Sequence, residues 1–103
     1  MAILNTRLTS GTAANIYAST NNSAITTIHL CNNTGATVTC NVYIVTGGGV
    51  ASGNNVVYTN LSLTAQNTYI VYAEKFILSN GDSIKANCSV ADSVTATVSS
   101  IGI

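Results

Sequence analysis

From Ala24 to Val45 the chain alternates in steps of two. Ile28 and Leu30 fall on one side of an extended segment, with Thr27, His29 and Cys31 on the other. From about Thr37, the row Val38, Cys40, Val42 and Ile44 opposes Thr39, Asn41, Tyr43 and Val45. Period two is what a half-buried strand needs, and a helix cannot place such a row on one face. No stretch repeats apolar residues at spacings of three and four, and Thr, Val, Ile and Tyr dominate over Leu, Glu, Lys and Arg, the residue balance of strands. Further short runs follow, separated by Asn, Gly and Ser clusters. Strands are expected at about 24–32, 37–45, 55–63, 68–72, 76–78, 82–90 and 93–103. The segment carrying Ile3, Leu8, Ile16 and Tyr17 is expected to add one or two more. The 103 residues are expected to form one all-β domain, a single antiparallel β-sandwich of jelly-roll or Ig-like type, with essentially no helix.

Two turns can be read in more detail. Asn33-Thr34-Gly35-Ala36 has the composition of a hairpin turn, with Gly35 available for a positive φ. Centring a hairpin there pairs Leu30 with Cys40 and Ile28 with Val42, which sets both apolar rows on one side; a slip of one residue would part them. The same register puts Cys31 and Cys40 on opposite faces and argues against a bridge between them. In Leu78-Ser79-Asn80-Gly81-Asp82, Gly81 is the expected positive-φ position, and the Asp82 carboxylate is placed to accept from neighbouring backbone N–H groups. The loop from Gly47-Gly48-Gly49 to Asn55 is too irregular for pairing and is expected to be mobile or contact-forming. It is not a phosphate cradle, because neither a Lys nor a helix follows.

Charge narrows the partners. Only Arg7, Lys75, Lys85, Glu74, Asp82 and Asp92 are ionised, and the formal net charge is zero. Thr, Ser and Asn, with 15, 11 and 13 copies, supply the polar surface instead. Three cations cannot build a positive groove, so neither nucleic acid nor an anionic membrane is expected as a partner. Met1–Arg7 has no basic stretch leading into an apolar run. No apolar stretch nears the length of about 18 residues that marks a membrane-crossing helix. The expectation is a protein made and folded in a cytoplasm.

The same shortage limits chemistry. His29 is the only imidazole, and it sits on the strand face opposite Ile28 and Leu30, far in sequence from Glu74, Asp82 and Asp92. No Gly-x-Ser-x-Gly elbow occurs, and Cys31, Cys40 and Cys88 have the spacing of neither a zinc site nor a redox pair. The thiols read as small buried or half-buried side chains. No catalytic residue, metal ligand or cofactor is assigned, and the expectation is not an enzyme.

What the composition does pose is a surface problem. An all-β domain exposes strand edges, which soluble monomers usually guard with Lys, Glu, Pro or bulges. This chain has no Pro and two Lys, and its mean hydropathy is +0.38. Neutral, weakly charged surfaces associate, so homo-oligomerisation is expected to cover the edges. The expected interface residues are Tyr43, Val45, Tyr58, Tyr69 and Val71, since tyrosine joins large apolar area to a hydroxyl. Tyr43, Tyr58 and Tyr69 are also the residues a carbohydrate-binding module would use.

Several segments together resemble a known group of proteins. They are Asn15-Ile16-Tyr17-Ala18-Ser19, Ile28-x-x-Cys31-Asn32-x-Thr34, Val42-Tyr43-Ile44-Val45, Leu78-x-x-Gly81-Asp82-x-Ile84-x-Ala86 and the closing stretch from Val94 to Ile103. In these features the chain resembles small β-sandwich virion structural proteins of tailed bacteriophages. The resemblance implies a capsid decoration (cement) protein that binds the outer surface of the major capsid lattice as a homo-oligomer, with a homotrimer favoured. The partners it implies are further copies of the chain and the major capsid protein or another virion protein. It also implies location in the virion after assembly in the host cytoplasm. A small tail-fibre, baseplate or adhesion module is the alternative.

Overall fold

A computed structural model describes residues 2–47, 49–53, 55–71 and 76–102, and the side chains of Ala2, Val71 and Phe76 are outside that description. The described chain forms nine strands: β1 Ala2–Arg7, β2 Ala14–Ala18, β3 Ser23–Asn32, β4 Val38–Val45, β5 Val56–Leu63, β6 Thr68–Val71, β7 Phe76–Leu78, β8 Ser83–Cys88 and β9 Val94–Gly102. There is no helix among the described residues. Tyr72, Glu74 and Lys75, and the loop positions Gly48 and Asn54, lie outside them.

Two antiparallel sheets pack face to face. The first runs β1-β9-β3-β6, with β7 continuing the β6 edge along β3, and the second runs β2-β8-β4-β5. The pairing is nested. β4 pairs with β5, β3 with β6 and β7, β2 with β8 and β1 with β9. A chain doubled back on itself at the β4–β5 loop gives that nesting. Rolling the doubled ribbon then adds the β3–β9 and β4–β8 ladders. Of the two sandwich types expected, this order is the jelly roll's.

The core sits between the sheets. Ile25, Ile28 and Leu30 of β3 and Val94, Ala96 and Val98 of β9 meet Val38, Cys40 and Val42 of β4 and Ile84, Ala86 and Cys88 of β8, with Leu8, Ile16, Leu63 and Leu78 closing the ends. Each fully buried Leu or Ile contributes about 1.5–3 kcal/mol relative to exposure. Asn32 is fully buried at the end of β3 and fully used. Its Nδ2 donates to the carbonyls of Ala36 (2.7 Å), Leu63 (3.0 Å) and Thr64 (3.2 Å), and its Oδ1 accepts from the N–H (3.0 Å) and hydroxyl (2.7 Å) of Thr34.

The structure overturns the expected β3–β4 hairpin. The inward rows are as read, but β3 and β4 belong to opposite sheets, so Ile28 and Leu30 face Val38, Cys40 and Val42 across the core instead of pairing beside them. Gly35 therefore needs no hairpin geometry and is not among the residues with positive φ. The turn before β8 is as expected: Gly81 has φ +92°, and Asp82 accepts from Gly47 N–H through Oδ1 and from Ser79 N–H through Oδ2, both at 2.9 Å.

Candidate functional site

The registers fix what the outer face of the first sheet presents. Ala24 lies between Ile77 on one side and Ile101 on the other, and Ile3 sits opposite Ser99, one step diagonal from Ile101. Alternation turns all four outward, and the larger three are exposed by 65% (Ile77), 43% (Ile101) and 62% (Ile3). An apolar row thus crosses one end of this sheet to the β1 edge. Farther along, the same face is mostly polar, with Asn5 and Arg7 on β1, Thr95, Thr97 and Ser99 on β9, and His29 and Cys31 on β3, beside the exposed Ile70 of β6.

The four edges are not equally protected. β2 is bulged between Asn15 and Tyr17, which buries Ile16 and Tyr17 in succession. β5 is bulged opposite Asn41, where Asn60 takes φ +53° and donates its N–H to Asn41 Oδ1 at 2.8 Å. Bulges twist an edge away from a partner strand. β1 pairs with β9 over six consecutive residues without a shift, leaving its free side regular. It carries no Lys or Pro.

The expected interface residues disperse. Tyr58 of β5 and Tyr69 of β6 face each other edge to face, ring centroids 6.3 Å apart, and close one open side of the sandwich between the two sheets. Tyr69 remains 38% exposed and Tyr58 half-buried, so both still present surface beside that contact. Val45 is a correction: it stands outside the core cluster yet is only 1% exposed. Gly49, whose N–H donates to Thr46 O at 2.9 Å, covers it so closely that a Cβ there would come 3.1 Å from Val45 Cγ1. The backbone of Val71 pairs with Ile28, and its side chain lies outside the described residues. Reading the sequence missed Ile3, Ile77 and Ile101. The Ile3, Asn5, Arg7 alternation carried a signal for the first, whereas Phe76-Ile77-Leu78 is apolar throughout and does not say which residue faces out.

Tyr43 lies on the outer face of the second sheet opposite Lys85. The two line a shallow hollow of about 290 Å³ with Asn87, Val50, Ala51 and the Gly11–Ala13 loop. Asn41 Nδ2 donates to Asn87 Oδ1 (3.0 Å), and Asn87 Nδ2 donates to Gly11 O (2.6 Å). Both amides are engaged in holding the wall.

The reactive groups do not converge. His29 has Ile70 and Thr97 as its cross-strand neighbours. The buried hydroxyls of Tyr17, Ser19 and Ser23 form a chain, with Tyr17 Oη donating to Ser23 Oγ at 2.8 Å and Ser23 Oγ 3.1 Å from Ser19 Oγ. That chain lies on the inward face of β3, and His29 lies on the outward one. No group of three His, Cys, Asp or Glu side chains able to hold a metal ion occurs among the described residues.

Comparison with family models, with curated proteins and with solved structures finds no match.

Proposed function

We propose that this chain is a non-enzymatic structural protein that acts through contact area, joining copies of itself and seating on a larger assembly. Its resemblance to small phage virion proteins makes that assembly a bacteriophage particle. The role is that of a capsid decoration (cement) protein, a homotrimer bound to the outer surface of the head.

The observation that carries this reading is the apolar row Ile77–Ala24–Ile101 with Ile3, ending at the unbulged β1 edge. An exposed apolar strip beside a regular free strand is a site for association. The scarcity of ionised groups lets many copies sit side by side without mutual repulsion. A closed trimer uses a head-to-tail contact, the edge of one copy meeting a different surface of the next. The jelly-roll fold serves viral coats and lectins alike, so the fold by itself does not choose between them.

Sedimentation at several concentrations, followed by titration onto purified phage heads, tests the reading. The expected result is a stable closed oligomer that saturates the heads in many copies. A monomer at high concentration that ignores heads would overturn it, and a few copies confined to tails would favour the tail-module alternative. The hollow beside Tyr43 supports a glycan-binding reading in second place, and binding of a defined oligosaccharide that is lost in Tyr43→Ala would promote it.

A further inference from the structure

Cys40 and Cys88 sit directly opposite each other on the adjacent strands β4 and β8. Both belong to the core cluster, Cys40 fully buried and Cys88 only 5% exposed, and both thiols are free. The ladder shows what kind of pair they are. Ser89 N–H donates to Thr39 O across this ladder (2.8 Å), while Cys88 N–H points the other way, to Thr9 O (3.0 Å). Cys40 and Cys88 are thus a non-hydrogen-bonded pair, the kind in which Cα atoms approach to about 4.5 Å and side chains lie closest. That spacing falls at the short end of the window of about 4.4–6.8 Å that a disulfide spans. Burial of both side chains puts their Cβ atoms on one face of the sheet. Cys31 is excluded from the pair, since it lies on the outer face of the other sheet between Thr68 and Thr95.

We propose that Cys40 and Cys88 are a redox modification site, closing to a reversible intramolecular disulfide when a low-molecular-weight disulfide is the oxidant. Cys88 attacks first. It ends β8, and its Sγ lies at the strand end, 2.9 Å from Val90 O and 3.7 Å from Ser93 Oγ. Cys40 is held protonated by burial and by the neighbouring Cys88, its pKa pushed up to about 12, so it is not the thiol that attacks first. In the first step the Cys88 thiolate bonds to one sulfur of the oxidant, the oxidant's S–S bond breaks, and the released thiolate takes up the proton that Cys88 gave. In the second, Cys40 loses its proton and attacks Cys88 Sγ, displacing the remaining oxidant thiol. The protein loses two hydrogen atoms, and the oxidant is reduced to two thiols. Exchange with an excess of dithiol reductant opens the bond again.

The test is to equilibrate the folded protein with oxidised glutathione, quench in acid, unfold, alkylate and map the peptides without reductant. The expected product is a Cys40–Cys88 linked peptide with Cys31 outside the link. It should form equally in Cys31→Ser and open with dithiothreitol. To exclude slow access as the cause of a negative result, the incubation is repeated in urea just below the unfolding transition. Alkylation of both Cys40 and Cys88 there, or a bond that recruits Cys31, overturns the proposal.

Discussion

The amide of Asn32, at the end of β3, donates to the carbonyl of Leu63, at the end of β5, over 3.0 Å. These strands belong to opposite sheets, so a single buried side chain ties the two layers where the chain crosses from β3 to β4. The same amide holds Ala36 and Thr64, and its oxygen fixes Thr34. Its position at the crossover explains why Asn33-Thr34-Gly35-Ala36 turns out of the sheet instead of into a hairpin.

Asn32→Ala should destabilise the fold by about 2–4 kcal/mol in urea unfolding, because the buried Leu63 carbonyl and the part-buried carbonyls of Ala36 and Thr64 lose their donor together. Asn32→Asp should be worse at neutral pH, since an anion facing carbonyls can only accept. Its stability should recover in part as the pH falls and the carboxyl is protonated and again donates. Equal stability of the two variants across that range would contradict the assigned geometry.

Alkaline pH should weaken the reduced protein through Cys40. Its thiol ionises near 9.0 in the unfolded chain and near 12 when folded. Between those values the unfolded state has released a proton that the folded state keeps, so stability is lost as pH rises, at up to about 1.4 kcal/mol per pH unit. Urea unfolding of Cys40→Ala from pH 8 to pH 11, with reductant present, should show a shallower decline than the parent protein.

Backbone conformation separates two further positions. Gln66 has φ +59° in the turn before β6, a region that costs a side chain about 1 kcal/mol or more. Gln66→Gly should therefore raise the unfolding midpoint, provided its N–H still donates to Thr34 O (3.0 Å). Asn60→Val should lower the midpoint by a comparable or larger amount, because a β-branched residue cannot take φ +53° at the β5 bulge without strain. Thermal melts of the two variants should move in opposite directions.

On the outer face, Ile77→Lys and Ile101→Lys should reduce self-association at least tenfold by sedimentation and leave the melting midpoint within a few degrees of the parent. Neither side chain belongs to the core cluster, so folding does not depend on it. A Lys at Tyr58 is the control. It should lower the melting midpoint by breaking the packing on Tyr69, because that contact lies between the sheets of one molecule.

The Gly81–Asp82 turn was legible from its turn residues. The chain's alternation was enough to determine an all-strand sandwich and the inward rows of β3 and β4, because period two fixes the face of every residue in a regular strand. It does not say which apolar row lies beside which. Two such rows satisfy burial equally well as neighbours in one sheet or as opposite walls of a core, and only the nesting of the whole chain put β3 against β9 and β4 against β8. Bulges at Asn15–Tyr17 and Asn60 break the period locally, and the row that Ile77 and Ile101 form across Ala24, like the facing of Cys40 and Cys88, emerges only from long-range register. Local pattern sets faces, whereas partnership between distant strands is decided by the closing of the core.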